Sequence, residues 1–194
     1  RAGSPPSARE MIGRYWRLER MPQIHEVWVE WQRWFVEVEE THTSHPAVVF
    51  FRSSHPEHSW VTSAGAVLDG AALVLSSVDI PRDVEAEFCI RAGYLSLRGI
   101  ADYFQIPHDA DPRPDDPISI RRDEWEAVLS ELETLGVTLK SDRDQAWRDF
   151  AGWRVNYDTV LLALARLTEA PQALWSSDRV GDERVRPPVF RRMR

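Results

Sequence analysis

The most apolar run in the chain is residues 59–77, SWVTSAGAVLDGAALVLSS, which carries one charge, Asp69. Its length is close to that of a bilayer-spanning helix. Set at about 100° per residue, Trp60, Val61, Ala64, Val67, Leu68, Ala71, Val74, Leu75 and Val78 share one arc. Thr62, Ser63, Asp69, Ser76 and Ser77 fall on the other. A membrane span has no reason to be amphipathic around an aspartate at mid-depth, whereas a central helix of a soluble bundle has. The run reads as a buried core helix capped by Ser59. If it is enclosed, Asp69 needs a partner, and Arg98 and Arg154 are the candidates. If Asp69 is exposed, the small residues around it (Thr62, Ala66, Gly70 and Ser76) offer a docking surface for close helix contact.

The remaining pattern is helical throughout. Ser7 and Glu10 have capping-box spacing and start a short helix to about Leu18. A second helix over 23–41 carries Ile24, Val27, Trp28, Trp31, Trp34, Phe35 and Val38 at three- and four-residue steps, a core stripe. Pro46 starts a short helix over 47–52. A helix from Pro81 to about Phe104, capped by Asp79, turns Ala86, Cys89, Ile90, Gly93, Leu97, Ile100 and Phe104 inward. Cys89 is thus expected to be a small buried apolar group. After the proline- and aspartate-rich stretch 106–118, helix resumes near Arg122 and ends before Gly136. Ser141, with Asp144 behind it, caps a last long helix to about Glu169. No stretch alternates with a two-residue period. The prediction is all-α: a single-domain bundle of about six helices over 7–175, a linker over 1–6 and a polar, arginine-rich, disordered tail over 176–194.

The last helix holds an anomaly. Trp147, Ala151, Arg154, Asp158, Leu161, Leu162 and Ala165 share a face, so a charged pair at i,i+4 spacing lies inside an apolar stripe. Burying either charge alone is costly. The two should pair with each other, or with Asp69 and nearby polar groups such as Asn156 or Tyr157.

Charge and composition narrow the function. A net charge of −7 argues against binding duplex nucleic acid, which needs a surplus of cations. With Cys89 as the one cysteine, neither an internal disulfide nor a cysteine-based zinc site is possible. Five of the six histidines fall within residues 25–58. His42, His45, His55 and His58, with Glu39, Glu40 or Asp69, have spacings that could hold a hydrolytic metal. Pro46 and Pro56, each directly after a histidine, argue instead for turns and caps. His108 and the carboxylates of residues 109–116 lack the glycine and the fixed glutamate of a calcium loop. No phosphate-binding, dinucleotide-binding, nucleophile-elbow or metalloprotease signature is present. No catalytic residue and no cofactor are predicted.

RAGSPPSA at 1–8, WQRWFVEVEETHTSHPAVVFFRS at 31–53, SWVTSAGAVLDGAAL at 59–73, DADPRPDDPI at 109–118 and AWRDFAGWRVNYDTV at 146–160 together resemble the cytosolic C-terminal region of bacterial potassium-channel-like membrane proteins. In that group a unit of two transmembrane helices and a pore loop precedes such a segment. The resemblance implies a soluble helical domain at the cytoplasmic face of the bacterial inner membrane. It implies the protein's own pore unit as partner and a homo-oligomeric parent. It brings no functional residue with it, and no selectivity-filter sequence occurs here. The first residue, arginine, suggests a piece of a longer chain. The alternative expectation is an independent helical metal-dependent hydrolase.

Overall fold

A computed structural model describes residues 5–51 and 57–179. These residues fold as an all-α bundle: α1 (Ala8–Arg17), α2 (Ile24–Ser44), α3 (Trp60–Ser76), α4 (Val84–Tyr103), α5 (Arg122–Thr134), α6 (Arg143–Arg154) and α7 (Asp158–Leu167). Three 3-10 turns, Met21–Gln23, Pro46–Phe50 and Ser177–Arg179, join or follow them. The extended contacts are limited, among the described residues, to a bridge between Val78 and Leu139. None of the described helices is long and apolar enough to cross a membrane.

α3 is the axis, with α1, α4, α6 and α7 packed around it. Its start follows from Ser59, whose hydroxyl accepts from the Val61 amide at 3.2 Å. Burial differs from the amphipathic expectation. Thr62, Ala66, Asp69, Gly70 and Ser76 are as enclosed as Leu68 and Leu73. The small residues are what permit this. A Cβ on Gly70 would strike the end of Met11 from α1, and one on Gly65 would meet Leu161 from α7. The small face is therefore consumed inside the fold and is no docking surface. Sealing Leu68 and Leu73 contributes about 1.5–3 kcal/mol each.

Several ends shift. α4 starts at Val84, capped by the Asp83 carboxylate on the Glu85 amide at 3.0 Å, and not at Pro81 under Asp79. Asp142, not Ser141, caps α6 through the Gln145 amide at 2.9 Å. Ser7 stands at the N-cap of α1 without bonding an amide. The predicted long last helix is two. The Asn156 side-chain amide donates to the Gly152 and Trp153 carbonyls at 3.0 and 3.2 Å, taking partners that a continuing helix would use. The chain turns through Val155–Tyr157 and restarts at Asp158.

The tail begins later than Ser176. Ser176 and Ser177 are buried, and Arg179 donates to the Ser119 carbonyl and to Glu124, both at 2.8 Å. Residues 180–194 of the expected tail and 1–4 of the expected linker lie outside the described residues.

Candidate functional site: a buried arginine-centred network

Arg154 ends α6 with no exposed surface. Its guanidinium has three different partners. Nε donates to Asp158 Oδ1 at 2.6 Å, Nη1 to Asp69 Oδ1 at 2.5 Å and Nη2 to the Trp175 carbonyl at 2.6 Å. The fork geometry of arginine suits this division, since its donors lie fixed in one plane. Tyr157, in the turn after α6, donates its hydroxyl to Asp69 Oδ1 at 2.9 Å. Its ring also lies 5.0 Å from the guanidinium carbon. Asp158 accepts from the Ser119 amide at 2.8 Å and the Ser119 hydroxyl at 2.7 Å. The network ties α3, the α6–α7 turn, the segment before α5 and the C-terminal strap.

Local sequence explains the assembly. Arg154 and Asp158 are four apart across the Asn156 turn, so one side chain can reach the other. Asp69 arrives from the middle of α3, where an unpaired carboxylate would be untenable. Trp175 presents its carbonyl from a left-handed backbone, φ +61°, with its ring 5.5 Å from Phe150.

The site is closed to solvent, and burial dominates its electrostatics. Burial pushes the Asp69 carboxyl above its ordinary range, and Arg154 and Tyr157 only partly offset this. Tyr157 is raised well above its usual value by burial and then by Asp69. Asp69 and Asp158 are 1% and 3% exposed, leaving a reactant no approach. Two surface grooves of about 430 Å³ each exist, one between Met21–His25 and Ile80–Glu85, the other along Arg9–Arg17 and α5. Neither is lined by a residue of the network.

The other sequence candidates are placed apart from it. Arg98 does not meet Asp69. It donates to the Asn156 carbonyl at 2.8 Å and the Ala110 carbonyl at 2.8 Å, tying α4 to the turn and the loop. Asn156 acts through its backbone and its cap, outside the network. His42 is buried against Trp60, ring centroids 4.6 Å apart; neither ring nitrogen makes a full hydrogen bond, and the Val38 backbone one turn back acts only weakly on the ring. His45 is exposed at the end of α2, His58 is half-buried and His55 lies outside the described residues. Among the described residues no three His, Cys, Asp or Glu side chains are grouped to hold a metal ion. The loop acids make turns instead: Asp109 accepts from the Asp111 amide and Asp116 from the Arg113 amide. Cys89 is fully buried, and burial raises its thiol.

Ser119, Trp175 and Arg179 were not legible as partners. Ser119 follows a proline-rich loop and Trp175 lies past the last helix, so no periodicity links either to Arg154. The one hint is that a tryptophan so close to the end of the helical region needs a core to enter. No protein-family model, curated protein or solved structure matches this chain.

Proposed function

We propose that this chain is a non-enzymatic assembly or regulatory domain of a bacterial potassium-channel-like membrane protein, placed on the cytoplasmic side and joined to that protein's own pore unit. Two things support the reading. The five stretches quoted above carry the resemblance. The observation that bears most weight is the sealed network: the ionisable groups gathered most closely, Asp69, Arg154, Tyr157 and Asp158, are spent on tying helices and have no access to solvent. Metal-dependent hydrolysis receives no such support, because the described histidines point to different surroundings.

The test uses the full-length membrane protein reconstituted in vesicles, with and without residues 7–175. Removal is expected to alter potassium flux or to lower the fraction of assembled oligomer. Unchanged flux together with unchanged assembly would overturn the proposal.

A further inference from the structure

The surface of the bundle is uneven. Of the large apolar side chains left exposed, most belong to one side, built from α2, the Pro46–Phe50 turn and α4. Val36 is 60% exposed, Val84 51%, Phe88 51% and Leu95 48%. On α4, Val84, Phe88 and Leu95 recur at four and seven residues, the spacing of a single helical stripe. Nothing in their intramolecular packing accounts for them, since α4 already buries Ala86, Cys89, Ile90, Gly93 and Leu97 on its inner side.

The two helices run side by side in the same direction. Gln32 donates to the Glu85 carboxylate at 2.8 Å, Phe35 packs on Gly93, and Glu39 lies over Gly99. Val36 on α2 and Leu95 on α4 therefore stand at similar heights on a shared face. Its edges carry charges of both signs that are exposed and form no ion pair within the described chain: Arg33, Glu37 and Glu40 along α2, Arg91 along α4. An anionic lipid or nucleic-acid surface would require a cationic edge. A mixed edge matches instead a second copy of itself, because a two-fold interface needs each sign to meet the opposite one.

We infer that the α2/α4 face is a two-fold self-association surface. The axis crosses both helices near Val36 and Leu95, so that α2 of each copy lies antiparallel on α2 of the other, and α4 on α4. Val36 and Leu95 then leave water against their own counterparts in the second copy. At a rise of about 1.5 Å per residue, the same axis brings Arg33 of one copy nearly level with Glu40 of the other on the facing α2 helices. The inference is independent of any pore, since it concerns this chain alone in water.

Sedimentation velocity of the 194-residue chain, from low to high micromolar concentration, tests it. Reversible dimerisation is expected. Leu95→Glu should raise the dissociation constant about tenfold or more, since it places a charge at the apolar centre. Arg33→Glu should weaken the dimer, and Arg33→Glu combined with Glu40→Arg should restore it. Leu135→Glu, an exposed leucine on another side, should leave the dimer unchanged. All positions changed are exposed, and circular dichroism checks that each variant is folded. A chain that stays monomeric throughout, a dimer indifferent to Leu95→Glu, or a charge exchange that fails to restore association would overturn the inference. None of these outcomes bears on the flux experiment above, so the two proposals fail separately.

Discussion

At the scale of single residues, two buried ionisable groups set opposite responses to pH. Asp69 has its carboxyl raised by burial. A carboxyl raised on folding contributes stability that is complete below its unfolded pKa, about 3.9, and is lost as pH rises through the folded value. Asparagine at this position can still accept from Arg154 and Tyr157, and it removes one of two carboxylates facing one guanidinium. Asp69→Asn should therefore cost little at neutral pH, and the wild type should gain on it as the solution is acidified. Unfolding midpoints of both proteins across pH check the sign. His42 behaves inversely, because burial lowers its pKa. Its contribution is present above an unfolded value of about 6.5 and is lost as pH falls through the folded one. With neither ring nitrogen in a full hydrogen bond, His42→Leu should stabilise the fold by about 1 kcal/mol and remove that part of the acid sensitivity. A variant less stable than wild type at neutral pH would show that the imidazole is bonded after all.

At the scale of elements, helix interiors were legible and helix ends only in part: Ser59 caps α3 and Gly136 follows α5 as the sequence indicates, while other ends shift. Interiors announce themselves by apolar residues at three- and four-residue steps, as with Trp28, Phe35 and Val38 in α2. Ends depend on which residue wins a local competition, as when Asn156 rather than the next turn takes the carbonyls of α6. Four helices finish alike. The amides of Arg20, Ile106, Val137 and Ala170 bond back to the Tyr15, Ala101, Leu132 and Ala165 carbonyls, the six-to-one bond of a Schellman turn. Only α5 places glycine at the left-handed position, Gly136 with φ +85°. α1, α4 and α7 put Glu19, Gln105 and Glu169 there, with φ of 54°, 57° and 46°, so the usual sequence signal is missing. Gln105→Gly should relieve this strain and raise stability by about 1 kcal/mol in urea unfolding; a lower stability would mean that the Gln105 side chain matters more than its backbone. Packing gives a converse case. A Cβ on Gly93 would press on Leu68 and the Phe35 ring, both buried, whereas one on Gly70 meets the flexible end of Met11. Gly93→Ala should cost about 1–3 kcal/mol, and Gly70→Ala less.

At the scale of the whole molecule, burial joins parts that sequence spacing keeps separate. The Arg154–Asp158 pair could be anticipated because a charge inside an apolar stripe must find a partner, and Asp69 because the most apolar helix cannot hide a lone carboxylate. The closing of that cluster by Ser119 and the Trp175 carbonyl depends on where a proline-rich loop and a C-terminal strap come to rest, which no local pattern encodes. The result is a protein whose deepest charges join α3, α6, α7 and the strap, and whose unspent apolar surface gathers along α2 and α4. If Arg154 is an architectural tie, its removal strands Asp69 and Asp158 without their cation. Urea unfolding of Arg154→Met against the wild type measures this most directly. The expected loss is about 3–5 kcal/mol, with much of it recovered when Asp69→Asn and Asp158→Asn accompany it. An Arg154→Met protein as stable as the wild type would contradict the architectural role and reopen the cluster as a site held for chemistry.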